Sequence, residues 1–150
     1  MNVTGKVNIN SNKEKIWSTI TDIKNAKDNI SGINSVEIIH DPENTLVGLK
    51  WKESRTMFGK DAYETMWITE AVENEFYQTR AESHGAIYIS KFNIIEKDDY
   101  CELTMSFQGS PQKLLGKLMG FIFGGLMSRS TLKMIQVDLE DIKMAVESKN

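Results

Sequence analysis

This chain is poor in the residues from which compact chemical sites are built. It has one cysteine and two histidines among 150 residues. Cys101 cannot close an internal disulfide, and its apolar, strand-like surroundings make it a buried, inert thiol suited to a reducing compartment. His40 and His84 stand far apart, outside any His-x-x-x-His or Cys-x-x-Cys spacing, so no metal centre is expected. No serine lies in a Gly-x-Ser-x-Gly context and no strand leads into a Gly-x-x-x-x-Gly-Lys-Ser/Thr loop, so no motif calls for a nucleotide or any other cofactor. Charge of one sign is missing too. The 18 basic and 21 acidic side chains are mixed along the chain, giving a formal net charge of -3, and no field exists to attract nucleic acid. The most apolar segment, residues 114–127, is interrupted by Lys117 and is too short to cross a bilayer, so no integral membrane segment is expected. Residues 1–10 alternate in polarity and lack the continuous apolar stretch of a signal peptide, which makes the cytoplasm the expected location.

What the chain does have is periodicity. Its length fits a single domain, residues 1–150, able to bury a core without staples. Eight methionines, three tryptophans, four tyrosines and six phenylalanines supply a soft, aromatic interior. Beyond Pro111, apolar residues recur at steps of three and four (Leu115, Leu118, Ile122, Leu126, then Leu132, Ile135, Leu139, Ile142 and Val146), which marks one face of a long helix. Ser110 is its expected cap and Pro111 its first helical residue. Upstream, strands are predicted over residues 48–58, 62–72, 75–83, 86–95 and 100–107. Short polar or glycine-containing connections separate them, so they form an antiparallel meander. Before the meander, Val3, Gly5, Val7 and Ile9 alternate as a strand. Ser11 or Asn12 then caps a helix, with Glu14 at capping-box spacing from Ser11 and with Ile16, Trp17 and Ile20 on its apolar face. A second short helix over residues 23–30 precedes a strand over residues 36–39.

This α+β order of one strand, two short helices, six strands and a long helix resembles the helix-grip fold of the START and pollen-allergen-like (SRPBCC) superfamily, the polyketide cyclase/dehydrase-like group in particular. The local marks are Asn12 to Trp17 at the first helix, Gly48, Gly59, Ile68-Thr69-Glu70, Gly109, and the closing Leu139-Glu140-Asp141-Ile142-Lys143. Relatives often begin the first helix with proline where this chain has Asn12, and none of the marks is a catalytic signature. The resemblance implies a seven-stranded antiparallel sheet wrapped around the C-terminal helix, two short helices between strands one and two, and an apolar cavity between sheet and helix.

Within that frame, alternation puts Leu49, Trp51, Glu53, Arg55 and Met57 on one face of the third strand, taken as inward. Glu53 and Arg55 are then same-face charges that either pair with each other or a strand neighbour, or emerge into solvent at the strand end. The expected cavity wall comprises Trp51, Met66, Ile68, Tyr88 and Phe92, with Leu103, Met105 and Phe107 from the last strand. Leu118 and Ile122 close it from the helix. Glu53, Arg55, Glu64, Arg80 and Tyr88 are the polar candidates: Glu53 or Glu64 as a base, Arg55 or Arg80 as an anchor for a carboxylate or enolate oxygen, Tyr88 as a donor. Gly116, Gly120 and Gly124 share one helical face, and each interior glycine costs about 0.5–1 kcal/mol relative to alanine. Close packing, a bend or room for a guest would each account for them. The leading functional expectation is binding or carriage of a small hydrophobic molecule. The alternative is a cofactor-free cyclase or dehydratase acting on an apolar polyketide-like or aromatic substrate. A third reading is a homodimer paired through the apolar residues 114–127.

Overall fold

The computed structural model describes residues 1–112 and 128–150 with their side chains, and residues 114–127 as helix backbone only. Leu115, Leu118, Ile122, Leu126 and the Gly116/Gly120/Gly124 face therefore lie outside the described residues, as does the apolar surface expected to pair subunits.

Strand β1 (Asn2–Ile9) is followed by helix α1 (Lys13–Ile20), a 3-10 turn (Ile23–Asn25) and helix α2 (Ala26–Asn29). Then come β2 (Ile33–His40), β3 (Lys50–Met57), β4 (Lys60–Val72), β5 (Phe76–Ser83), β6 (Ala86–Glu96), β7 (Cys101–Pro111) and helix α3 (Leu114–Glu147). The strands form one seven-stranded antiparallel sheet in the order β1-β7-β6-β5-β4-β3-β2. The meander follows from tight connections. Phe58-Gly59 and His84-Gly85 both carry positive φ at two successive residues, the twist that two-residue hairpins require.

Two local expectations are corrected, and the choice left open at the first helix cap is resolved. β7 does not stop before Gly109: Gly109, Ser110 and Pro111 pair with Tyr88, Ile87 and Ala86, because β6 is long enough to keep offering ladder partners. Proline is tolerated there because it ends the strand, and Gln112 N–H takes the next bond, 2.8 Å to Gly85 O. Ser110 is thus no cap and Pro111 no helical residue; α3 begins at Leu114. At α1 the cap is Asn12, whose Oδ1 accepts from Lys15 N–H at 2.8 Å, whereas the Ser11 hydroxyl bonds Asn150 Oδ1 at 3.1 Å. Leu132 is 40% exposed, because the buried face of α3 runs through Thr131, Ile135, Asp138, Leu139, Ile142 and Val146.

That face explains where the helix sits. α3 packs on β1 and β7 and touches α1, and the core gathers Ile135, Leu139, Ile142 and Val146 with Val7, Ile9, Ile16, Cys101 and Leu103. The approach is closest at Gly5, where a Cβ would fall 2.8 Å from Ile135 Cγ2 and 2.7 Å from Gln136 Oε1. Gln136 in turn donates to Lys6 O at 3.1 Å. Glycine is needed here for space, since no other residue lets the helix lie so near the strand. Gly5→Val is expected to cost about 1–3 kcal/mol by overpacking, read from urea unfolding; an unchanged midpoint would mean that α3 is not seated on this strand.

Candidate functional site

Because side chains alternate across a strand, the register assigns the inner face of the sheet row by row. Trp51 pairs with Met66, Met66 with Ala81, Ala81 with Tyr88, and Tyr88 with Gly109. A neighbouring row runs Thr79, Ser90, Phe107 and Val3, and the next runs Tyr77, Phe92, Met105 and Gly5. With α3 seated on the β1–β7 edge, these rows face a cavity of about 350 Å³. Its described walls are Trp51, Met66, Ala81, Tyr88, Phe92, Met105 and Phe107 from the sheet, Ile20, Ile23 and Ile30 from the helical segment, and Thr131, Met134, Asp138 and Ile142 from α3.

The aromatic part of the wall is braced. Tyr88 stacks on Phe107 with ring centroids 5.6 Å apart, and Tyr77 meets Phe92 at 5.4 Å and Trp17 at 6.2 Å. The buried Tyr77 hydroxyl donates to Ile20 O at 3.0 Å, tying α1 to the sheet. Burial, with a further push from the Glu53 charge, raises the Tyr77 phenol far above its ordinary range, so it serves as a structural donor and not as an acid.

The polar part of the wall is centred on Arg55. Its Nε donates to Glu53 Oε1 at 2.7 Å, and its Nη1 and Nη2 donate to Asp138 Oδ1 and Oδ2 at 3.1 and 2.8 Å, a bidentate pair linking β3 to α3. Trp51 Nε1 adds a long bond of 3.4 Å to Glu53 Oε2. Burial penalises both charges of the bridge. For Arg55 the attraction of two carboxylates outweighs burial and raises its pKa; for Asp138 burial outweighs the single guanidinium, and its carboxyl sits above the ordinary range. Glu64 is placed differently. It lies directly across the β3–β4 ladder from Glu53, and its Oε1 is buried without a hydrogen-bond partner. Burial raises its pKa and the Glu53 charge adds to the rise, against an opposing pull from His84. Tyr88 is raised as well, by burial and then by the charge of Glu64.

Of the residues singled out from sequence, Trp51, Met66, Tyr88, Phe92, Met105, Phe107, Glu53, Arg55 and Glu64 come together around this cavity. Ile68 and Leu103 do not. Ile68, beside the bulge in the β4–β5 ladder, is 1% exposed, and Leu103, opposite Val7 in the part of the sheet that α3 covers, is 0% exposed; both are sealed in the core. Arg80 is on the outer face, since Thr79 and Ala81 point inward, and it pairs with Glu82 at 2.7 Å. It is no anchor for a guest. Leu118 and Ile122 lie outside the described residues. Sequence reasoning missed Tyr77, Thr79 and Asp138. The signal for Asp138 was its place three residues after Ile135 and four before Ile142, on the buried stripe of α3. Among the described residues no group of three or more His, Cys, Asp or Glu could hold a metal ion, and no helix is long and apolar enough to cross a membrane.

No protein-family model and no curated protein sequence matches the chain. Solved structures do. Protein TTHA0849 of Thermus thermophilus superposes with a TM-score of 0.81 at 10% identity, covering 100% of this chain and 99% of that one. The Zhui aromatase/cyclase of a Streptomyces species gives 0.73 at 13% identity over 99% of this chain and 94% of that one. Ara h 8.0201 gives 0.68 at 16% identity over 99% and 98%. The fold is a helix-grip fold, one curved antiparallel sheet against a long C-terminal helix, shared with these structures. At these identities the likeness is one of architecture, and the chemistry has to be argued from this chain's own cavity.

The Arg55 bridge sets an expectation for stability. Asp138→Ala leaves a buried guanidinium short of two bonds and is expected to cost about 2–3 kcal/mol, whereas replacing all three members of the cluster, Glu53→Leu and Arg55→Met with Asp138→Leu, restores most of that loss. Urea unfolding of the wild type, the single variant and the triple variant measures it; a single variant as stable as the wild type would show that the bridge does not form.

Proposed function

We propose that this protein binds a small hydrophobic molecule in the cavity between the sheet and α3. The observation that carries the reading is the cavity itself: a predominantly apolar, aromatic and methionine-rich wall interrupted by a few convergent polar groups, which is the usual make-up of a small-molecule site. Met66, Met105 and Met134 give the wall side chains that adapt to shape, and the braced Tyr88–Phe107 and Tyr77–Phe92 pairs give it flat surfaces. The free, buried Cys101 suits a cytoplasmic carrier.

A second reading has a specific observation in its favour. Glu64 and Tyr88 face the same cavity, burial and then the Glu64 charge push the Tyr88 phenol pKa up, and Zhui, which shares the fold, is an aromatase/cyclase. In that reading Glu64 takes a proton from an apolar polyketide-like or aromatic substrate and Tyr88 donates to the developing oxygen, without a cofactor. Arg55 is disfavoured as the anchor there, because three of its N–H groups and its charge are engaged by the carboxylates of Glu53 and Asp138. Binding is preferred because no group is hydrogen-bonded to Glu64 Oε1 to orient it as a base.

The test is a cavity-filling variant. Ala81 is 5% exposed and stands in the row between Met66 and Tyr88. The neutral fluorophore N-phenylnaphthylamine should brighten on binding the wild-type protein, and Ala81→Trp should weaken that binding by at least about tenfold while circular dichroism stays unchanged. A folded Ala81→Trp that binds the fluorophore as tightly as the wild type would contradict the proposed site.

A further inference from the structure

The polar composition of the cavity says what kind of guest it takes, an inference that rests on the binding reading above. Among the described lining residues two carry positive charge. Arg55 is bonded by Glu53 and Asp138 through Nε, Nη1 and Nη2, and the amino group of Met1 donates to Gly109 O at 3.2 Å. Three carboxyl groups stand against them: Glu53, Asp138 and Glu64. Glu53 and Asp138 are satisfied by the guanidinium. Glu64 is not, for its Oε1 is buried with no partner. The groups that face it are Glu53 across the ladder from β3, His84 in the β5–β6 turn and Tyr88 on β6. Neither Glu53, Tyr88 nor His84 bonds that oxygen, and His84 Nδ1 is engaged with Ser83 Oγ at 2.7 Å.

A buried acceptor without a donor is a standing cost, and a guest that supplies the donor removes it. A guest ending in a carboxylate does the reverse. It adds a negative charge beside Glu64 and Glu53 in a poorly solvated space, where the charge of the nearest guanidinium is already matched by two carboxylates, Glu53 and Asp138. We propose that the cavity accepts an apolar molecule with one hydrogen-bond-donating head, a hydroxyl or an ammonium, seated on the carboxyl group of Glu64, and discriminates against molecules of the same apolar shape that end in a carboxylate. The same wall then sets orientation: the head lies at the β3–β4 side, toward Met57 and Ala62, and the apolar body lies along Met66, Phe92 and Met105.

Competition at neutral pH tests this with three probes of equal chain length. Decanol, decylamine and decanoate are titrated against N-phenylnaphthylamine bound to the full chain. Decanol and decylamine are expected to displace the fluorophore at concentrations at least about tenfold below that needed for decanoate. In Glu64→Leu, which removes the anchor, the preference for decylamine over decanoate should shrink to within about threefold. Glu64→Gln, which keeps the shape and removes the charge, should lose the amine preference and keep most of the alcohol binding. Decanoate competing as well as decylamine in the wild type would overturn the inference while leaving the hydrophobic site standing. A preference unchanged in both Glu64 variants would overturn the role of Glu64. If neither the fluorophore nor any decyl probe binds, the binding reading fails, and the inference with it.

Discussion

Arg55 joins two walls that apolar packing alone does not bring together. The helix is seated at one edge of the sheet, where Gly5 lets Ile135 and Leu139 approach β1. At β3, five strands away in the sheet order, the helix is reached by the Arg55 side chain, with Asp138 at its end. A long, rigid-headed side chain held by bidentate bonds fixes a separation as well as a contact. The space between the tight edge and the bridged edge is the cavity. Its existence follows from asymmetry: close packing on β1 and β7, and a polar bridge to β3.

The bridge also decides what Arg55 cannot do. A guanidinium exposed in an apolar cavity would grip an anionic head, but here Glu53 and Asp138 occupy it. The polar character of the cavity passes to Glu64, the one buried side-chain oxygen or nitrogen among the described residues without a partner. Cross-strand pairing with Glu53 is unfavourable in itself, since like charges opposed on a ladder repel. Burial raises the Glu64 pKa, and neutralisation of Glu53 by Arg55 limits what that repulsion adds. One residue thus links the shape of the cavity to the charge of its wall.

The architecture was legible in the sequence because its signals are local. Short connections force neighbouring strands to be antiparallel, and steps of three and four between Ile135, Leu139, Ile142 and Val146 mark one helical face. The misreadings arose where a local signal met a longer-range partner. Gly109-Ser110-Pro111 has the composition of a break, yet β6 supplies ladder partners as far as Ala86 and extends the strand. Alternation orders β3 and β7, where one face is distinctly more apolar, but in β4 and β5 both faces mix polar and apolar residues. That is why Arg80 could not be told from an inward residue and why Tyr77 and Thr79 were overlooked. Ile68 and Leu103 have the right period for the cavity, but period does not separate a lining residue from a core residue; the coverage of the sheet by α3 and the bulge in β4 do. Asp138 is a charged residue on an apolar stripe, and only the position of Arg55 in three dimensions explains it.

The space between sheet and helix is an open, apolar volume and not a collapsed core. Crystals of the protein under xenon pressure test it most directly, because xenon enters dry, apolar cavities and little else. Xenon density is expected among Met66, Tyr77, Phe92 and Met105, with the Arg55–Asp138 bridge intact beside it. A structure in which those side chains interdigitate with Met134 and Ile142, leaving no xenon site between the sheet and α3, would contradict it.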